Sequence, residues 1–266
     1  SLGKIDNIVV IPSLLDMLFK YDTKMKYCII ETVHAFPDLR ARLQDHPFTQ
    51  LNLIETYEKI FLEEKDVELK LLILNHLQHF DTERVIDFLQ NAIKSPHPEL
   101  RQKAIAAMRT FHDRGIVAYI KPYLQDSNLS TRAAAIIALW QFAELKQLLL
   151  TELIGLMARH EKDHVLAALK VIGTLGFSWE LRYVKNHLDH SDEEIQALAV
   201  LALLQIDSRA ALPPFLFSLT HKTSNSLFFA KSLKDLPKSL QLIVFHQIQG
   251  SGEEAIKTCI EHLSAT

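Results

Sequence analysis

The chain has 266 residues, 48% hydrophobic and 23% charged, with 29 basic and 32 acidic residues giving a formal net charge of −3. That composition can bury a large core, and seven glycines and nine prolines leave little room for disordered linkers. The charge balance lacks the basic excess of a nucleic-acid binder, so no nucleic-acid partner is expected, and no apolar run reaches the length of a membrane span.

The chain starts Ser1-Leu2-Gly3-Lys4 without Met, which reads as a scar or an internal cut and predicts a module of a longer protein. Residues 5–19 are apolar but interrupted by Asp6, Pro12 and Asp16, and they lack a basic start and a small-residue cleavage site. They do not make a signal peptide. Cys28 and Cys259 lie near opposite ends of the sequence and are not expected to pair. A reducing cytoplasm, or the soluble part of a larger membrane-associated protein, is the expected location. Residues 1–48 have helical patterns without a common register and are expected to form an irregular N-terminal cap.

From residue 49 the pattern becomes regular. A first unit covers about Thr49 to Phe80, with Leu69 in register and Ile73 at its small-residue position. The next reads Glu83 to Lys94, a turn Ser95-Pro96-His97-Pro98, then Glu99 to Phe111. Val85, Ile86, Leu89 and Ile93 make one helical stripe, and Leu100, Ala104, Ala107, Met108 and Phe111 another. The prolines end the first helix and favour the start of the second. Further hairpins follow: Ile116 to Gln125 with Leu129 to Phe142, Leu145 to Arg159 with His164 to Thr174, and Trp179 to Asp189 with Glu193 to Ile206. A fifth begins near Arg209, carries Pro213-Pro214 early, and has a weaker second helix from Asn225 to Leu236. Ser239 to Gln249 and Glu253 to Leu263 close the chain. Phe215, Phe217, Phe228, Phe229 and Phe245 are expected to close the last layer of core.

Three columns run through these hairpins. Ala104, Ala135, Ala168, Ala199 and Ala230 are separated by 31, 33, 31 and 31 residues. Leu62, Ile93, Leu124, Met157, Leu188 and Leu219 keep the same spacing, and Met108, Leu139, Ile172 and Leu203 follow the alanines by four. A small residue in mid-helix lets a neighbouring helix approach closely, and larger residues one turn on fill the layer. One hairpin cannot bury its stripe alone, so the expected fold is an all-α superhelix, an elongated right-handed α-solenoid of stacked antiparallel hairpins. The whole of 1–266 is expected to be a single solenoid, with a cap at 1–48, repeats over 49–236 and closing helices over 237–266.

The turn of one unit, Asp126 followed by Thr131-Arg132 and Ala135, resembles the HEAT-repeat family in its short form, as do Leu100-Arg101 and Ala104. The Arg column then decays to Val165, Gln196 and Leu227. The resemblance covers roughly residues 50–236. It implies a structural scaffold and assigns no activity.

One stretch invites a catalytic reading. His160-Glu161-Lys162-Asp163-His164 matches H-E-x-x-H, which needs a continuous helix so that two His one turn apart face one metal and Glu161 polarises its water. The repeat register instead puts His160 to Asp163 in the turn between helices, with His164 in the inward slot of Leu100 and Ile195. The expectation is therefore no metal, with His187 and His190 as the remaining candidates to join His160 and His164 in a His-rich site. A metal-dependent enzyme using His160, Glu161 and His164 is the alternative function. No Gly-rich phosphate loop or G-x-S-x-G elbow exists, and Cys28 lacks a nucleophile motif. Deoxyhypusine hydroxylase is similar in architecture, but its several His-Glu pairs are matched here by His160-Glu161 alone. The basic face of HEAT-like DNA glycosylases is absent. HEAT-like bilin lyases share the short repeat, yet no residue here marks a bilin site. No cofactor is expected.

The second helices offer a different site. Reading them in helical steps away from the alanine column gives Gln102, Ala106 and Arg109, then Ala133, Ile137 and Trp140, then Leu166, Lys170 and Gly173, then Ala197, Leu201 and Leu204, then Phe228, Ser232 and Asp235. Arg109, Arg132, Ile137, Trp140, Lys170, Leu201 and Leu204 are the candidate partner-binding residues of a concave groove. The competing reading packs these side chains into neighbouring helices. The expected function is a non-catalytic scaffold that binds a protein, a peptide, or another domain of its own chain.

Overall fold

The computed structural model describes residues 8–36, 38–77, 80, 82–111, 114–207, 210–211 and the single positions 214, 242 and 246. The chain divides into two compact units, Ser1–Lys146 and Gln147–Thr266. Among the described residues there are thirteen α-helices, several 3-10 turns and no strand. The fifth repeat's second helix, the closing helices, Ala230, Leu219 and the late phenylalanines lie outside the described residues.

The first unit opens with three helices, α1 (Ile11–Met17), α2 (Thr23–His34) and α3 (Leu39–Gln44). Asp22 caps α2 by accepting a hydrogen bond from the Met25 amide. The first hairpin pairs α4 (Pro47–Glu63) with α5 (Val67–Leu77), and α1 and α2 pack on them. The second pairs α6 (Glu83–Ala92) with α7 (Pro98–Met108), and Thr82 caps α6. In the third, α8 (Gly115–Ile120) passes into a 3-10 turn at Lys121–Gln125 before α9 (Leu129–Leu139). Pro122 stands in that turn, where it cannot donate to an α-helical ladder.

Second helices stack in sequence within this unit, α5 on α7 and α7 on α9, which is the layering of an α-solenoid. The columns explain the stacking. Ala104, Ala135, Met108 and Leu139 are wholly buried, and so is Ile73 at the small position of α5. Ile93 and Leu124 are buried as their column requires, but Leu62 is 68% exposed. The buried stripe of α4 is Leu53, Ile54, Tyr57, Ile60 and Phe61, and Leu62 falls one step of about 100° beyond it.

The second unit begins within α10 (Lys146–Met157), followed by α11 (Lys162–Leu175), a 3-10 turn at Ser178–Glu180, α12 (Leu181–Lys185) and α13 (Glu193–Ile206). Gly176 ends α11 in the left-handed region at φ 67°, a conformation that costs glycine least. Helix α12 is shorter than the Trp179 to Asp189 segment expected. Ala168, Ile172, Ala199 and Leu203 are buried, and α11 packs along α13. A Cβ at Gly173 would lie 2.8 Å from the Ala202 Cα, so the two helices meet nearly backbone to backbone. Met157 and Leu188 are half-buried.

Candidate functional site

The cations of the second helices sort into those that serve the fold and those that do not. The Arg101 guanidinium forms a two-pronged pair with Asp126, at 2.9 and 2.8 Å, and also donates to the carbonyls of Ser95 and Pro96. Arg132 Nε donates to the Asp126 carbonyl. Asp126 accepts from the Asn128 amide, and Asn128 caps α9. The residues of the repeat signature are thus a turn fastener. Lys70 lies over the Phe61 ring at 5.0 Å, and Lys103 donates to Asn75 at 2.7 Å. Lys162, in the first turn of α11, bonds both Asp192 and Glu194, which raise its pKa. Arg109 and Lys170 have no hydrogen bond or ion pair from their side chains among the described residues.

In the first unit Arg109 and Trp140 lie at the C-terminal ends of α7 and α9, while Arg132 lies in the first turn of α9. Arg109 is exposed at the C-terminus of α7, and its carbonyl accepts from Gln141 at 3.3 Å. Trp140, the neighbour of Gln141, is half-buried at the end of α9 with the Lys146 ammonium 5.6 Å from its ring centroid. Ile137 is only 8% exposed, and Arg132 is half-buried on its turn. In the second unit Lys170 is exposed midway along α11, Leu166 and Leu201 are half-buried, and Leu204 is 1% exposed. Lys170 reaches water, yet desolvation by the protein around it lowers its pKa.

The H-E-x-x-H stretch does not form one helical face. Helix α10 ends at Met157 and α11 starts at Lys162, so exposed His160 and Glu161 stand in the turn and only His164 lies within a helix. His164 Nδ1 is 3.6 Å from the Glu161 carboxylate. The two other histidines are committed to backbone. His187 Nδ1 meets the Tyr183 carbonyl at 2.8 Å and must donate to it, which leaves Nε2 as its open nitrogen. His190 Nδ1 accepts from the Asp192 amide at 2.9 Å, so the proton of the neutral ring is on Nε2. His190 could ligate a metal only by giving up that arrangement. Their ring centroids are 6.0 Å apart.

Two features escaped the sequence. His34 stacks on His76 with centroids 3.6 Å apart and planes at 10°, and its Nε2 is 3.0 Å from the Tyr57 hydroxyl. Burial pushes the Tyr57 pKa well up. This cluster fastens α2 to α4 and α5, and no spacing links its residues. The second feature is a division of charge. Beyond the first turn, α5, α7, α9, α11 and α13 carry no Asp or Glu, whereas α4 holds Glu55 and Glu58, α6 holds Asp87 and α10 holds Glu152 in mid-helix; the short first helices α8 and α12 have none. The repeat register would have shown this had carboxylates been counted helix by helix.

With that geometry in place, the comparisons define the class. The family model for HEAT repeats matches residues 54–140 and 86–173, so this stretch of the chain is a run of HEAT repeats. No curated protein sequence matches the chain significantly. Among solved structures, a chain in the complex of CpcE and CpcF of phycocyanin lyase from Nostoc sp. PCC7120 is similar at 18% identity, with a TM-score of 0.46, over 80% of this chain and 94% of that one.

Proposed function

We propose that this helical repeat scaffold is a non-catalytic interaction module whose second-helix faces receive a segment of a partner protein or of another domain of the same chain. The observation that carries the reading is the absence of carboxylates beyond the first turn of every described second helix, beside exposed Arg109 and Lys170. Acidic residues in first turns follow from the helix dipole. Their absence from the remaining turns sets the second helices apart from α4, α6 and α10, which keep carboxylates in mid-helix, while the short first helices α8 and α12 carry none. In each unit an uncharged-to-cationic surface, with half-buried Trp140 near Arg109 in the first and half-buried Leu166 and Leu201 with Lys170 in the second, suits a partner segment that is apolar and acidic. No described helix is long and apolar enough to cross a membrane. A cytoplasmic setting, as the scaffold of a larger protein, is part of the proposal.

The test is affinity capture from the source cell with the wild type, Lys170→Glu and Glu161→Gln side by side, with metal content measured on each. A protein retained by the wild type and Glu161→Gln but lost from Lys170→Glu supports the module. A hydrolytic activity abolished by Glu161→Gln, with about one zinc per chain removable by chelator, would replace it with the metal-enzyme reading.

A further inference from the structure

Lys170 stands apart from the other second-helix cations. Arg109 lies at a helix C-terminus, where the helix dipole itself favours a positive charge. Lys170 is the ninth residue of the fourteen in α11, away from either end. It is exposed, and it has no ion pair or hydrogen bond among the described residues. Lys162, two turns earlier on the same helix, holds two carboxylates. Leu166 lies one turn before Lys170 on the same face. The Gly173–Ala202 contact sets the register of α11 on α13, and Lys170 and Leu201 each lie within about one turn of that crossing. Both leucines are half-buried, so each presents apolar surface that the α11–α13 pair leaves uncovered.

We propose that Lys170 is the anchor of a peptide-docking site on the α11–α13 face, binding a carboxylate side chain of an amphipathic acidic segment whose apolar residues seat on Leu166 and Leu201. This rests on the reading of second-helix faces as interaction surface and adds the partner's chemistry. The choice of a peptide carboxylate follows from charge complementarity beside apolar surface. The protein around the exposed Lys170 ammonium lowers its pKa through desolvation. A carboxylate brought there replaces water at the ammonium with a charge-assisted bond. The flanking leucines favour an apolar segment over a free anion.

The experiment selects 16-residue peptides from a display library against the whole chain, then measures affinities of the synthetic winners for wild type, Lys170→Met and Lys170→Glu by fluorescence anisotropy. Acidic positions flanked by apolar residues should be enriched. Affinity should fall about tenfold or more in Lys170→Met, the scale of one charge-assisted bond, with melting temperature unchanged. Replacing the key Glu of the peptide by Gln should cost the wild type the same factor and Lys170→Met nothing. Winners that bind wild type and Lys170→Met equally overturn the anchor but leave the surface reading standing. A library that yields no binder overturns both.

Discussion

The longer first helices of these repeats, α4, α6 and α10, and the second helices both bury apolar stripes but carry different charges. Carboxylates sit in the middle of α4, α6 and α10, while α5, α7, α9, α11 and α13 have none past the first turn. Packing accounts for part of this, since α9 is buried from Ala133 to Leu139 and α11 and α13 are exposed past their first turns only at Lys170, Thr174 and Gln205. The difference teaches that a second helix has few solvent-facing positions, so a cation at one of them, Lys170, is the informative exception. On the second helices, cations that the fold uses are held by Asp126, Asn75, the Asp192–Glu194 pair or an aromatic ring, and Arg109 and Lys170 remain over.

The largest effect should come from a cation that serves the fold. Asp126→Ala leaves the Arg101 side chain, 11% exposed, without its counter-charge and should cost about 3–5 kcal/mol by denaturant titration. A loss under 1 kcal/mol would erase the distinction between fold cations and surface cations. Gly173→Ala places a methyl group against the Ala202 backbone and should cost about 1–3 kcal/mol, read as a lower melting temperature. Unchanged melting would show that α11 and α13 do not meet backbone to backbone.

A carboxylate at the end of a first helix gives a pH-dependent contrast. The Lys26 ammonium, 2.9 Å away, lowers the Glu64 pKa from 4.5 to about 2. Because the folded value lies below the unfolded one, this stabilisation is complete above about pH 4.5 and is lost as pH falls towards 2. After allowance for solvent screening it is about 1–2 kcal/mol. Glu64→Gln should therefore melt below wild type at pH 7, and the two curves should converge near pH 2. A gap that persists at pH 2 would point to packing instead. The smallest effects belong to Lys170→Met and Glu161→Gln, each expected within about 0.5 kcal/mol of wild type in stability because neither group is buried with a partner.

The periodic part of the fold was legible because a repeat must present the same residue type at the same place in every layer. Ala104, Ala135, Ala168 and Ala199 are all wholly buried. The turn at His160-Glu161 was legible for the same reason, since register alone puts it outside a helix. Leu62 was misread because α4, next to the cap, buries a stripe displaced by one position. The His34–His76–Tyr57 cluster was not legible at all, because α2, α4 and α5 meet there through tertiary packing and leave no period. For the candidate surface, sequence supplied Arg109, Trp140 and Lys170. The near-complete burial of Ile137 and Leu204 depends on how closely the second helices approach, which helical steps around one helix do not give.

The central claim is that second-helix faces, and not first-helix faces, receive the partner. Charge reversal on each set measures this directly: Ala106→Glu with Lys170→Glu on the second helices, and Glu55→Lys with Asp87→Lys on the first, each compared with wild type for retention of the captured partner at matched melting temperature. The account predicts loss of the partner from the second-helix pair and full retention by the first-helix pair. Retention by both, or loss from the first-helix pair alone, would contradict it.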